Sequence, residues 1–240
     1  VNFLFLWLFY DPYSPTADKD YEDLREEINK FDIIGMLGKE ISKSRINQAL
    51  TRRLINAVKY LQPKSQQAAI LSIIDNFNVL YPVFPSVMIL IRALMDNLEV
   101  TTQESVFVAL RNLIHSNSYI TKVTVNLAFA TRILAHDKSD ETDIILGKVF
   151  KAETNTVIKR DIILAMAQRN ADYWISDRLK YYGSMTSWEK RSLIMASHIL
   201  GDEGQHWRDK IKQELGLYDH AMLEWFNNRY TSGSGWGSLL

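Results

Sequence analysis

Apolar residues recur at three- and four-residue spacing through most of this 240-residue chain. Ile46, Leu50, Leu54, Ala57, Val58 and Leu61 share one helical face, as do Val106, Leu110, Leu113 and Ile114. Val123, Leu127, Ala130, Ile133 and Leu134 repeat the pattern. No segment alternates strictly at period two for long, so strands are not expected. The periodicity predicts helices over about 18–30, 32–42, 45–61, 64–80, 85–98, 102–115, 118–136, 140–151, 155–170, 172–182, 187–199, 203–215 and 218–229.

The punctuation between these segments has physical causes. Thr101 stands three before Glu104, and Thr186 three before Glu189. Both pairs read as capping boxes, in which hydroxyl and carboxylate satisfy orphan backbone N–H groups reciprocally. Pro63, Pro82 and Pro85 fall between periodic segments, where a missing N–H does least harm. Gly183, Gly201 and Gly216 stand where helices should stop. The links are short, so sequential helices should pack antiparallel.

Internal similarity separates a stack of repeats from an irregular bundle. Arg160-Asp161-Ile162-Ile163-Leu164-Ala165 matches Arg191-Ser192-Leu193-Ile194-Met195-Ala196 at an offset of about 31 residues. After a two-residue shift Trp174 matches Trp207. The matched alanines allow close helix approach. The pairs at 64–98 and 102–136 match mainly in length. The expected fold is all-α, with antiparallel helix pairs stacked as an irregular HEAT-like α-solenoid. A globular all-α bundle is the alternative.

Composition narrows the classes. Hydrophobic residues make up 47% and charged residues 23%, as in an ordinary globular chain. Only 10 Gly and 5 Pro are present, which argues against a loop-rich β fold and against disorder. The absence of cysteine removes disulfides, thiolate catalysis and cysteine-based zinc sites, and fits a cytoplasmic location. The first ten residues, Val1 to Tyr10, are almost wholly apolar but too few to span a bilayer. No basic stretch precedes them, so a signal peptide is not expected. They are read as the end of a preceding domain, with Val1 in place of Met pointing to a cut chain. The expected organisation is a lead-in at 1–17, a helical join at 18–62, helical repeats at 63–230 and a flexible tail at 231–240.

Net charge is zero, so any basic patch must be local. Residues 39–64 hold Lys39, Lys43, Arg45, Arg52, Arg53, Lys59 and Lys64 against the single acid Glu40, a local charge of +6. Arg45, Arg52 and Lys59 recur every seven residues and on one continuous helix would drift only about 20° per step. Such a stripe matches a phosphate backbone, of single-stranded DNA or RNA. The competing reading is the solvated face of an amphipathic helix.

Other constellations are weaker. His198, Asp202, Glu203 and His206 lie close in sequence, but Gly201 and Gly204 break the helix that would align them on a metal, and no H-E-x-x-H occurs. No adjacent Asp pair of the two-metal polymerase kind is present. Neither a nucleophile elbow nor a phosphate-cradling glycine motif occurs, and the glycine-rich tail Ser232–Gly237 lacks flanking elements. Trp174, Trp188, Trp207 and Trp225 fall at helical spacing among aliphatics and read as core packing rather than base-stacking platforms. No catalytic residue, metal or cofactor is expected in this chain, and no membrane partner.

The C-terminal half carries a resemblance. Ser187-Trp188-Glu189-Lys190-Arg191, followed by His198-Ile199-Leu200-Gly201-Asp202-Glu203-Gly204-Gln205-His206-Trp207-Arg208, resembles the helical region of bacterial abortive-infection and anti-phage defence reverse transcriptases. In that family a polymerase domain precedes HEAT-like α-repeats. The stretch from Phe31 to Leu37, continuing through Lys43–Ile46, resembles the join after the polymerase domain. The resemblance covers most of 18–229. It implies a non-catalytic accessory region that cradles nucleic acid or mediates assembly with the polymerase domain or another subunit. The family's Tyr-x-Asp-Asp hairpin is missing, so no catalytic residue carries over. A HEAT-type protein-interaction scaffold without a nucleic-acid role is the alternative.

Overall fold

The computed structural model describes residues 23, 25–169, 171–199, 201–205, 208–209 and 213. The apolar run Val1–Tyr10, Trp7, His206, Trp207, Gly216, His220, Trp225, Trp236, the helix expected at 218–229 and the tail lie outside them. All secondary structure among the described residues is helical. Ten α-helices follow the short helical stretch at 25–29. They are α1 (Ile33–Ile41), α2 (Gln48–Ala57), α3 (Pro63–Asp75), α4 (Phe84–Leu94), α5 (Val100–His115), α6 (Thr124–Leu134), α7 (Asp140–Ala152), α8 (Thr156–Gln168), α9 (Asp172–Leu179) and α10 (Ser187–Ile199). The chain divides into two compact units, Val1–Ala109 and Leu110–Leu240, with the division falling inside α5.

In the first unit, α1 buries Ile33, Leu37, Glu40 and Ile41, an i, i+4, i+7, i+8 set that makes one face. Helix α1 packs on α2 and α3, and α2 packs on α4. Contacts between helix i and helix i+2 as well as between neighbours are the packing of helical repeats. Phe77 meets Phe84 edge-on, with centroids 5.4 Å apart. Glutamines close the helix ends. Gln66 donates to the Lys59 carbonyl at 2.8 Å, and Gln103 donates to the Met95 and Leu98 carbonyls, each at 2.9 Å. These bonds satisfy backbone acceptors that the helices leave open.

The second unit is built around α8. Its buried residues, Ile158, Asp161, Ile162, Ile163, Leu164, Ala165, Met166 and Ala167, surround the helix axis on nearly every side. A helix apolar all round belongs in a core. Here α6, α7, α9 and α10 pack against it, and the α8–α10 contact is the most extensive. Each fully buried aliphatic side chain contributes about 1.5–3 kcal/mol relative to exposure. The 160–165 and 191–196 segments that match in sequence lie on these two helices. Thus α6, α8 and α10 meet in series, helix on second-next helix, as repeats do.

Local chemistry sets the boundaries. Thr186 and Glu189 form the expected box: the Glu189 carboxylate accepts the Thr186 N–H at 2.9 Å, and the Glu189 N–H donates to Thr186 Oγ1 at 3.3 Å. Burial alone would raise the Glu189 carboxyl, but Thr186 and Lys159 together hold it below the usual carboxylate range. The box expected at Thr101 is not the start of α5. That helix begins at Val100, and the Glu99 carbonyl accepts the N–H groups of Thr102 and Gln103, which places Thr101 inside the first turn. Helix α5 ends in a Schellman motif. Ser118 N–H bonds to Leu113 O, Asn117 N–H bonds to Ile114 O, and Asn117 takes φ 51°, in the left-handed region. The turn that follows delays α6 to Thr124 rather than the 118 expected. Helix α3 likewise ends at Asp75, short of the expected 80.

Candidate nucleic-acid interface

The basic segment occupies the end of α1, the link to α2, α2 itself and the 3-10 turn Val58–Tyr60. Asn47 starts α2 by accepting the Leu50 N–H on its side chain at 3.2 Å. Pro63 then drives Gln62 into extended backbone, and the chain tightens into the 3-10 turn before it. Helix α2 therefore spans only Gln48–Ala57. Arg45 stands ahead of the cap and Lys59 stands beyond the helix. The row of Arg45, Arg52 and Lys59 is thus not carried by one helix over 45–61, because the Asn47 cap and the turn before Pro63 interrupt it.

What the sequence counted only as one negative charge has a defined place. Glu40 lies on the buried face of α1, 3% exposed. One of its oxygens pairs with Lys43 Nζ, and the other accepts the Asn47 N–H at 3.1 Å. The Lys43 and Asn47 hydrogen bonds hold the carboxyl below its usual range. Glu40 therefore fixes the register of the α1–α2 link and neutralises Lys43 at the same time.

The remaining cations are left outward. Lys39, Arg45, Arg52, Lys59 and Lys64 are exposed, and Arg53 is half-buried. Lys59 Nζ sits 4.7 Å from the centre of the Tyr60 ring, which keeps its charge. Among the described residues no carboxylate pairs with Lys39, Arg45, Arg52, Arg53, Lys59 or Lys64. The surface of this segment is a field of one sign, with its single acid turned inward.

The second unit uses its arginines differently. Arg111 pairs with Asp137, both buried, and reaches Glu141 at 3.3 Å. Arg132 and Arg160 meet on Asp161 at 3.0 and 2.9 Å. Arg169 bonds Asp143 at 2.6 Å and donates to the Ser139 and Leu134 carbonyls. Arg178 pairs with Asp177 at 2.7 Å and lies against the rings of Phe150 and Trp174. These guanidinium groups are each engaged by a carboxylate of their own unit.

The other candidates fall as follows. Trp174 is buried and meets Phe150 edge-on at 5.1 Å, so it packs the core. His198 and Asp202 lie on α10 and on the 3-10 turn Gly201–Gly204 after it. Among the described residues no group of three or more His, Cys, Asp or Glu is placed to hold a metal ion. No helix among them is long and apolar enough to cross a membrane. Comparison with protein-family models, curated proteins and solved structures returned no match.

Proposed function

We propose that this chain is a non-catalytic helical-repeat region that contacts single-stranded nucleic acid, serving as the accessory region of a bacterial defence-type reverse transcriptase. One observation carries the nucleic-acid reading. The only carboxylate within residues 39–64 is buried and consumed by Lys43 and the Asn47 N–H, while Lys39, Arg45, Arg52 and Lys59 face solvent without an acidic partner. Exposed cations of one sign release counterions from a phosphate backbone, which is what drives such binding. The similarity of Ser187–Arg191 and His198–Arg208 to the defence reverse transcriptases supports the wider assignment. In that setting the polymerase chemistry belongs to a separate domain, and this region holds template or product.

The test is fluorescence anisotropy with labelled single-stranded DNA and RNA across a salt series. The intact chain should bind, with affinity falling steeply as salt rises. The triple variant Arg45→Gln, Arg52→Gln, Lys59→Gln should bind more weakly and lose about two units of log–log salt slope. Salt-independent binding, or none, would remove the nucleic-acid role. A nuclease-resistant protein partner captured by the same chain would then favour a HEAT-type interaction scaffold.

A further inference from the structure

The second unit holds an open hollow of about 420 Å³, lined by both polar and apolar side chains, between the turn after α5, the start of α6 and the end of α7. Its walls come from both sides of that junction. Lys122 and Thr124 enter from the α6 side, Lys148 from α7, and Ile114, Leu127 and Val149 supply an apolar wall. We infer that this cavity binds a phosphate-bearing small molecule of nucleotide size, with Lys122 and Lys148 gripping the phosphoryl group and the aliphatic wall taking the uncharged half.

Four observations carry this. The volume lies in the range of small-molecule sites, roughly 300–1,000 Å³. Lys122, from the turn before α6, and Lys148, from α7, line one hollow, and among the described residues neither pairs with a carboxylate. Two lysines lining one hollow give it a positive charge that a bound anion would offset. The single carboxylate in the wall, Glu153, is turned to the backbone: its Oε1 accepts the N–H groups of Thr154 and Asn155, each at 2.7 Å. Finally, Val123 gives α6 no side-chain cap, so no side-chain acceptor offsets the positive end of the helix next to Lys122. Asn117 shapes the rim, since its left-handed φ turns the chain away from α5 just where the hollow opens.

The site shares no residue with the basic segment of the first unit, so the two readings fail separately. Isothermal titration of the full chain with a nucleoside triphosphate and with inorganic pyrophosphate, both without metal, tests it. Both ligands should bind. Lys122→Gln and Lys148→Gln should each weaken binding roughly ten-fold, as loss of a charge-assisted contact does. Arg45→Gln with Arg52→Gln should leave it unchanged. A tighter triphosphate supports the nucleotide as source, and equal affinities support the bare phosphoryl group. Both lysines are exposed, so the variants should melt as the parent does. On the parent chain, bound triphosphate should also slow acylation of Lys122 and Lys148. Absence of binding by both ligands, unchanged affinity in the double lysine variant, or loss of binding on changing Arg45 and Arg52 would overturn the inference.

Discussion

Asp137 is almost completely buried yet fully engaged. Its carboxylate meets Arg111 and the Thr142 hydroxyl, and accepts the Ser139 N–H at 2.9 Å. A buried ion pair adds little net stability over an apolar pair of the same shape, but breaking one side strands a charge. Asp137→Ala should therefore cost the second unit about 3–5 kcal/mol in urea denaturation. Changing Arg111 and Asp137 together to Met and Leu should recover most of that loss. Glu40 makes a pH-dependent counterpart in the first unit. Its carboxyl is held low by Lys43 and the Asn47 N–H, so the folded state binds its proton more weakly than the unfolded chain does. The contribution is present above the ordinary carboxylate range and is lost as pH falls, below about pH 4. Glu40→Gln should remove that acid-sensitive component, which thermal melts between pH 3 and about pH 7 would reveal as a flatter profile.

At the scale of elements, two glycines of α1 have opposite meanings. A Cβ on Gly35 would collide with the Asp32 carboxylate that caps the helix by accepting the Gly35 N–H at 2.8 Å. A Cβ on Gly38 would meet nothing within 4 Å. Gly35→Ala should thus cost about 1 kcal/mol through the lost cap, and Gly38→Ala should gain up to about 1 kcal/mol from helix propensity, both read from melting curves. Helix existence was legible throughout the described chain because period and punctuation agree in each segment. Helix ends were less so. Thr101 and Glu104 have the spacing of a capping box, yet the Glu99 carbonyl starts the helix two residues sooner. Asn47 caps α2 although apolar periodicity runs straight through it from Ile46 to Leu50, which hides the cap in the sequence. The basic cluster could be read from composition alone. The inward turn of Glu40 could not, since only the tertiary contact between its oxygen and the Asn47 N–H decides where that charge points. Lys122 and Lys148 carried no signal either, being 26 residues apart and joined only by the fold.

Over the whole molecule, positive charge is sorted by use. The first unit displays unpaired cations at 39–64, while Arg111, Arg132, Arg160, Arg169 and Arg178 of the second are bound to Asp137, Asp143, Asp161 and Asp177. Salt screens exposed charges strongly and buried pairs weakly. Raising ionic strength should therefore abolish nucleic-acid binding while shifting the melting temperature little, a contrast that one sample can show by anisotropy and calorimetry. A parallel fall of both would mean that exposed pairs stabilise the fold. The serial contact of α6, α8 and α10 has a further, kinetic consequence. The extensive contacts of each helix are with partners one or two helices away along the chain, so the loops that must close during folding are short and cost little entropy. The second unit can thus assemble in chain order, α8 docking on α6 and α7 and then receiving α9 and α10, without waiting for its far end.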